Sequence, residues 1–340
     1  MIEQRALCQE LKRLNTKGRI VRHLLSLFDL QQDEYESILS IAAQVKKLLL
    51  DGTRPEFLPR QVAGLLFEKP SLRTRVSFET GMSQLGGASL FLGQEVGWQS
   101  RESTADFIRV LSEYVDYVVC RSKLHSTVEE LASFNCVPII NGLTDLTHPC
   151  QALADMLTMM EQHESVRGKQ VTFVGDGNNV SRSLAHACAR SGMRFRLLGP
   201  EAYFMVDGSL EKFKVSYADC DLQQTEDRQA AMAEADFVYT DVWTSMGQEA
   251  ESERRRKDFA DYQLNADLMR LAPDHCQILH CLPAKRGEEI TDEVIDCPNS
   301  LIVPQAGNRM HAQKGLLLWL ALQHGKLTPA CLESAGIELS

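Results

Sequence analysis

The sequence has 340 residues, of which 44% are hydrophobic, and this length suffices for two globular domains of ordinary size. Its 46 acidic and 36 basic residues give a net charge of −10, which argues against nucleic acid as a partner. Ten cysteines occur without a C-x-x-C pair, so neither a disulfide framework nor a zinc site is indicated. We find no membrane-length apolar stretch and no signal peptide, and therefore expect a cytoplasmic protein that does not bind membranes.

Strand-like and helix-like segments alternate along the chain. The predicted strands are 62–67, 89–92, 117–121, 137–140, 170–175, 195–198, 215–217, 237–240, 278–281 and 301–303. The predicted helices are 33–50, 71–85, 103–114, 127–134, 148–162, 181–190 and 229–235. This alternation predicts the α/β class, with two domains that each contain a mainly parallel sheet flanked by helices. Ligands of such sheets bind beyond the carboxyl ends of the strands.

The segment from Ser71 to Arg75 (SLRTR) follows the predicted strand 62–67 and starts the predicted helix 71–85. Ser71 suits the N-cap, where free backbone N–H groups, two hydroxyls and the guanidinium groups of Arg73 and Arg75 are expected to converge. Basic residues in a first helical turn oppose the helix dipole, so a merely solvated turn is the less favoured interpretation. We expect this helix start to bind a multiply charged anion.

The motif H-P-C-Q (148–151) opens the long predicted helix 148–162, and its proline suits a first helical turn. His148 and Gln151 share one helix face, where an imidazole and an amide can bind a small planar amide-like group. The alternative is an ordinary helix start with polar residues. Arg121 ends a predicted strand and is expected to project toward the ligand crevice.

Two loops in the second half of the chain also follow predicted strands. The loop from Gly175 to Asn179 (GDGNN) lacks the G-x-G-x-x-G pattern of dinucleotide-binding proteins, and Asn179 instead offers an amide for a carboxylate or an amine. In the segment DVWTSMG, Asp241 can pair with an ammonium group, and Ser245 can complete a site for an amino acid. A simple helix cap is the alternative for Asp241.

The segment HCLP (280–283) ends another predicted strand. Cys281 is not expected to act as a nucleophile activated by His280, because adjacent residues of a strand point to opposite faces. Arg309, in the segment NRMH, adds a further guanidinium group at the expected crevice.

Together these motifs resemble those of the aspartate/ornithine carbamoyltransferase family, and specifically of its members that use ornithine. The similar pattern extends from about Arg22 to Leu322, and its S-M-G and H-C-L-P segments are specific within the family. The resemblance implies a carbamoyl phosphate-binding domain at 1–147, joined by a C-terminal helix 309–340. It also implies an ornithine-binding domain at 148–308, with the active site in the crevice between the two domains.

The resemblance further implies the reaction and its residues. The side-chain amine of L-ornithine attacks carbamoyl phosphate directly, which gives L-citrulline and phosphate without a covalent intermediate, a cofactor or a metal. The implied catalytic residues are Arg121, His148, Asp241 and Cys281. The implied carbamoyl phosphate ligands are Ser71, Leu72, Arg73, Thr74, Arg121, His148, Gln151, Cys281, Leu282 and Arg309, with Leu72 and Leu282 acting through their backbones. The implied ornithine ligands are Asn179, Asp241, Ser245 and Met246.

Two positions depart from the family pattern. Leu72 replaces a threonine that is found in many relatives, but its backbone N–H can serve equally. The loop from Gln94 to Arg101 is longer than the common form. Gln99 or Gln94 is expected to reach a neighbouring active site in the homotrimer, or multiple of trimers, that the resemblance implies.

Several alternatives remain open at this point. Putrescine could replace ornithine in the same chemistry, although Asp241 and the S-M-G loop favour ornithine. A nicotinamide-dependent oxidoreductase would share the two-domain α/β pattern, and a non-catalytic sensor of amino acid or phosphate would share the fold. The motifs do not distinguish citrulline synthesis, a step of arginine biosynthesis, from the reverse reaction.

Overall fold

The computed structural model describes residues 21–98, 100–205, 213, 215–217, 220–244 and 249–339. Within these ranges the strands are β1 (Val62–Phe67), β2 (Ala88–Leu92), β3 (Tyr117–Arg121), β4 (Ile139–Leu143), β5 (Gln170–Val174), β6 (Arg194–Leu198), β7 (Leu222–Thr225), β8 (Phe237–Thr240) and β9 (Gln277–His280). The α-helices are α1 (Gln32–Leu50), α2 (Leu72–Gln84), α3 (Thr104–Leu111), α4 (His125–Ser133), α5 (Pro149–Met160), α6 (Asn179–Arg190), α7 (Arg228–Met232), α8 (Ser252–Asp258), α9 (Ala266–Met269), α10 (Asp292–Ile295), α11 (Ile302–Gln323) and α12 (Pro329–Glu333).

The strands form two parallel sheets, one from each half of the chain. The first sheet has the order β2-β1-β3-β4, and the second has the order β7-β6-β5-β8-β9. Parallel neighbours need long crossover connections, which the helices between the strands supply. The carboxyl ends of the strands lie at one edge of each sheet, and the motifs that follow β1, β3, β5, β8 and β9 begin there.

Two helices join the sheets through the hydrophobic core. Helix α11 packs against α1, α2 and α5 and reaches β9, while α5 also packs against α6. Every residue of α5 from Pro149 to Met159 is buried, so this helix is hydrophobic on all sides as a central helix should be. Among the described residues, no helix combines the length and the apolar character that crossing a bilayer requires.

The predicted α/β class with two mainly parallel, helix-flanked sheets is confirmed. The predicted strand 215–217 is wrong, because residues 215 and 216 are helical and the strand of this region is the polar edge strand β7. The predicted strand 301–303 is also wrong. These residues lead into α11, because a short apolar run does not distinguish a strand from a buried helix. The predicted domain boundary after residue 147 falls between β4 and α5 and stays a prediction.

Candidate active site

The first turn of α2 places hydroxyl groups at the carboxyl edge of the first sheet. Ser71 occupies the N-cap position, and its Oγ donates to Thr74 Oγ1 at 3.1 Å rather than capping a backbone N–H. Thr74 is buried, and the turn contains no acidic residue. The N–H groups of this helix start therefore carry no negative side chain of their own, which suits an anion.

The two arginines of the SLRTR motif point in different directions. Arg75 Nε donates to Glu79 Oε1 at 2.9 Å, and its guanidinium carbon lies 4.0 Å from the centre of the Phe91 ring. Arg73 makes no ion pair within the described ranges and is close enough to Arg121 for its charge to affect that residue's pKa. The expectation that both guanidinium groups converge is thus wrong, and Arg73 alone faces the site.

Arg121 brings a buried positive charge to the end of β3. Its side chain forms no ion pair, and its Nε has no hydrogen-bond partner, among the residues that the structure describes. Burial, together with the positive charges of Arg309 and Arg73, lowers the pKa of Arg121 to about 10. Three guanidinium groups therefore share one region, and no carboxylate of the described residues is in contact with Arg121 or Arg309 to compensate them.

Arg309 is buried on α11 and has neutral partners. Its Nη1 donates to Gln151 Oε1 at 2.6 Å, and its Nη2 donates to Thr74 Oγ1 at 3.2 Å. Burial lowers the pKa of Arg309 from its usual value. A buried charge with neutral partners carries a large desolvation cost, which a bound anion offsets.

His148 supplies a neutral imidazole beside these cations. Burial lowers the pKa of His148 well below its usual value, and the charges of Arg309 and Arg121 lower it further. Its backbone N–H donates to Ser183 Oγ at 2.8 Å, while its Nδ1 has no partner within the described part of the chain. The ring can therefore donate to, or accept from, a small polar ligand without carrying a charge.

Asp241 lies at the carboxyl end of β8 with both oxygens engaged. Its Oδ1 accepts from the Val242 N–H at 2.8 Å and from Cys281 Sγ at 3.0 Å, and its Oδ2 accepts from Asn178 Nδ2 at 3.1 Å. Burial raises the pKa of Cys281 well above its usual value, and the neighbouring Asp241 raises it further. Cys281 is therefore a thiol that donates to Asp241, rather than a thiolate.

The HCLP segment is held by a buried histidine and glutamate. His280 Nδ1 accepts from the Leu282 N–H at 2.9 Å, so His280 Nε2 carries the proton that is shared with Glu289 Oε1 at 3.0 Å. Leu282 has a φ of 57°, which is unfavourable for a leucine, and precedes a cis peptide bond to Pro283. Since its N–H is used internally, the Leu282 carbonyl is the backbone group that can contact a ligand.

Of the other residues predicted from the sequence, the structure describes Asn179 and Gln94. Asn179 begins α6, and its Nδ2 donates across to the Thr144 carbonyl at 2.5 Å, which links the two halves. Gln94 Nε2 donates to the Glu68 carbonyl at 2.8 Å. The predicted residues Ser245, Met246 and Gln99 lie outside the described residues.

A metal is poorly accommodated by the nearest set of metal-ligating side chains. Asp241, His280 and Cys281 place ligand atoms within 4.8 Å of one another. Both nitrogens of His280 are already engaged, and the Cys281 thiol is protonated and bonded to Asp241. Metal ligation would require this buried hydrogen-bond network to break.

Four polar residues around the site were not identified from the sequence. They are buried or partly buried side chains that contact the predicted residues or His280 of the HCLP segment, namely Asp155, Asn178, Glu289 and Gln305. Asp155 could have been found, because it is a carboxyl in a helix with otherwise apolar surroundings, four residues after Gln151. Glu289 and Gln305 lie in segments whose sequence patterns give no comparable signal.

Comparison with known proteins gives matches over both halves. The family model described as the aspartate/ornithine carbamoyltransferase carbamoyl-P binding domain matches residues 22–161, and the Asp/Orn binding domain model matches residues 167–320. An ornithine carbamoyltransferase of Archaeoglobus fulgidus is 45% identical over 301 residues, which span 88% of this chain and 97% of that protein.

Solved structures agree with these matches. The structure of ornithine carbamoyltransferase from Pyrococcus furiosus has 44% identity to this chain and a TM-score of 0.86. The match covers 90% of this chain and 98% of the Pyrococcus furiosus chain. An N-acetyl-L-ornithine transcarbamylase has a similar fold, with a TM-score of 0.80 and 88% and 100% of the two chains covered, but only 28% identity.

Proposed function

The chain belongs to the aspartate/ornithine carbamoyltransferase family, and on this premise we propose that it is an ornithine carbamoyltransferase. It transfers the carbamoyl group of carbamoyl phosphate to the side-chain amine of L-ornithine and releases L-citrulline and phosphate. The reaction belongs to arginine metabolism and amino-acid biosynthesis.

The observation that carries the proposal is the pair of buried guanidinium groups, Arg121 and Arg309, whose described contacts include no acidic side chain. They lie beside a helix N-terminus, so a phosphate group would meet both positive charge and free N–H groups. We assign the phosphate of carbamoyl phosphate to this region. Its ligands are Ser71, the Leu72 backbone, Arg73, Thr74, Arg121 and Arg309.

The carbamoyl group then lies toward His148, Gln151 and the Leu282 carbonyl. A neutral His148 can donate to the carbamoyl oxygen, and the Leu282 carbonyl can accept from the carbamoyl NH₂. As the amine attacks the carbamoyl carbon, that oxygen gains negative charge, which His148, Arg121 and Thr74 stabilise. The carbon–oxygen bond to phosphate breaks, and Arg309 with Arg73 holds the leaving phosphate.

Ornithine is assigned to the edge of the second sheet. Asp241 offers a carboxylate oriented by Asn178, and it attracts an ammonium group of the substrate. Asn179, Ser245 and Met246 complete the assigned ornithine site, while Cys281 lies beside the reacting amine as a neutral thiol. The attacking amine bonds to the carbamoyl carbon directly and loses its proton after attack, so no enzyme nucleophile is required.

The test is a comparison of three amines with carbamoyl phosphate as the shared substrate. We expect carbamoylation of L-ornithine to exceed that of putrescine and of N-acetyl-L-ornithine, because only ornithine carries both the α-carboxylate and the free α-ammonium group. The Asp241→Asn variant should lose much of the preference for ornithine over putrescine. A wild-type preference for putrescine would contradict the substrate assignment, and the absence of any carbamoylation would contradict the proposed function.

We further infer a cytoplasmic homotrimer, or a multiple of trimers, in which Gln99 contacts a neighbouring active site. The division into domains 1–147 and 148–308, with the C-terminal helix 309–340 joined to the first, is part of the same proposal; the two family models instead meet between residues 161 and 167, beyond the end of α5. Light scattering of the purified chain should give three times the monomer mass, or a multiple of it. A monomer with full activity would contradict the shared site.

A further inference from the structure

Asp155 lies beneath the candidate site on α5 and is fully buried. Its Oδ1 accepts hydrogen bonds from Gln151 Nε2 and Gln305 Nε2, both at 2.7 Å, and the Tyr239 hydroxyl lies 3.5 Å from the same oxygen. Asp155 Oδ2 has no partner among the described residues. A single carboxylate oxygen therefore fixes two glutamine amides.

Each of these amides also accepts a hydrogen bond through its oxygen, and the two donors lie in different parts of the site. Gln151 Oε1 accepts from Arg309 Nη1 at 2.6 Å. Gln305 Oε1 accepts from the His280 N–H at 2.8 Å, and His280 Nδ1 accepts in turn from the Leu282 N–H at 2.9 Å. The two connections end at Arg309 and at the Leu282 backbone, which are both assigned to carbamoyl phosphate.

The orientation of each amide matters because a primary amide that turns by half a rotation exchanges its oxygen for its NH₂ group. A turned Gln151 would direct NH₂ at the Arg309 guanidinium, and a turned Gln305 would direct NH₂ at the His280 N–H. Donor would face donor in both cases, and each buried donor would lose its partner. An acceptor below both glutamines prevents these arrangements.

Stability alone does not account for a carboxyl group at this position. Burial raises the pKa of Asp155 to about 7, so its ionised form is held at a cost in folding free energy. Asp155 forms no ion pair within the described ranges. The hydrogen bonds that Asp155 accepts from Gln151 and Gln305 are therefore the contacts that its carboxyl group serves at this position.

We propose that Asp155 is a positioning residue that orients Gln151 and Gln305, and through them Arg309 and the Leu282 backbone, for carbamoyl phosphate. The inference rests on the proposed function, because that function assigns Arg309 and Leu282 to this substrate. Asp155 itself does not touch the reacting atoms.

Two substitutions of Asp155 distinguish the loss of its hydrogen-bond acceptor from the loss of its charge. Asp155→Leu removes the acceptor and frees both amides while it keeps the number and branching of the side-chain heavy atoms. Asp155→Asn keeps one oxygen for both glutamines and places its NH₂ where Oδ2 has no described partner. Thr172→Val is the matched control, because Thr172 is fully buried on β5 and its hydroxyl donates to the Ala231 carbonyl at 2.6 Å, outside the assigned site.

Calorimetric binding of inorganic phosphate and steady-state kinetics provide the two measurements. Asp155→Leu should weaken phosphate binding and raise the KM for carbamoyl phosphate by roughly 10- to 100-fold, with a smaller effect on the KM for ornithine. Asp155→Asn and Thr172→Val should stay within about threefold of the wild type in both measurements. If Asp155→Leu does not unfold cooperatively, Asp155→Ala replaces it.

The proposal is overturned if Asp155→Leu behaves as the wild type, if Asp155→Asn is as impaired as Asp155→Leu, or if Thr172→Val is equally impaired. Phosphate binding does not depend on turnover. A wild-type chain that binds phosphate but forms no citrulline would therefore contradict the proposed function while leaving the test of Asp155 intact.

Discussion

Arg309 Nη2 donates to Thr74 Oγ1 at 3.2 Å, although the two residues are 235 positions apart in the sequence. The contact joins α11 to the first turn of α2, and the second contact of Arg309, to Gln151, joins α5 to the same point. Because both acceptors are neutral, three helices assemble a buried positive charge around an unpaired helix N-terminus. This relationship is the basis for the predictions about anion binding.

Replacing Arg309 should lower the activity without lowering the stability of the fold. Arg309→Met is expected to lower kcat/KM by about 10³-fold, roughly 4 kcal/mol, because a cation aimed at the leaving phosphate is lost. The melting temperature should stay the same or rise, since a buried charge with neutral partners is removed. Activity assays and thermal unfolding provide the measurements, with the exposed Arg270→Met as the control. A large fall in melting temperature alongside the loss of activity would argue that Arg309 mainly stabilises the fold.

Inorganic phosphate should stabilise the folded chain through Arg121. At a concentration 100 times its Kd, a ligand that binds only the folded state adds about 2.7 kcal/mol. For a chain of this size, that addition corresponds to a rise of several degrees in melting temperature. Sodium chloride at matched ionic strength is the control for general salt effects. An equal phosphate-dependent rise in an Arg121→Met variant would contradict the assignment of Arg121 to the anion.

The parts of the site that follow directly from the sequence are those at strand ends. Arg121 and Asp241 come at or just after apolar runs that do form β3 and β8, and Ser71 stands just before α2. Parallel topology brings such positions to the sheet edges, so the local sequence patterns were sufficient to predict where these residues lie. The opposite directions of Arg73 and Arg75 also have a local cause. Residues two apart on a helix differ by about 200° around its axis, and one of the pair must face away.

The supporting hydrogen bonds between distant segments could not be derived from local patterns. Gln305 and Asp155 are 150 positions apart, and their contact depends on how α11 packs against α5. Glu289 meets His280 only because the segment between them folds back, with a positive φ at Leu282. Such contacts are tertiary, and the spacing of residues along the sequence contains no information about them.

Acid should destabilise the fold through buried histidines with lowered pKa values, which include His148, His23 and His311. Burial and nearby charges together lower the pKa of His23 and of His311 to about 4, and for His311 these charges are Lys314 and Lys46. Below pH 6.5 the unfolded chain binds protons that the folded chain does not. The stability that is fully present above pH 6.5 is therefore lost as the pH falls toward 4, at about 1.4 kcal/mol per pH unit for each histidine.

This prediction is tested by denaturant unfolding between pH 7.5 and 5, in the wild type and in His311→Gln. The variant should lose less stability on acidification, because one of the proton-linked groups is absent. If the free energy of unfolding of the variant falls with pH as steeply as that of the wild type, His311 does not contribute to the acid sensitivity.

Turnover should rise with pH above neutrality. The side-chain amine of ornithine must be deprotonated to attack, and an alkyl amine has a pKa of about 10, so its reactive fraction rises nearly tenfold per pH unit below that value. His148 adds no titration in this range, because its pKa is well below its usual value. The pH profile of kcat/KM for ornithine gives the measurement. A flat profile from mildly acidic to alkaline pH, with chemistry limiting, would contradict direct attack by the amine.

Replacing Cys281 should show whether its thiol acts as a donor or as a nucleophile. The thiol donates to Asp241 Oδ1 at 3.0 Å, and burial together with Asp241 raises its pKa well above the usual value. A serine hydroxyl can donate in the same direction, so Cys281→Ser should retain activity within about tenfold of the wild type. Cys281→Ala removes the donor and should mainly raise the KM for ornithine, because Asp241 loses one of its orienting contacts. A covalent role would instead make both variants inactive, by 10³-fold or more, and would give a trapped acyl-enzyme by mass spectrometry.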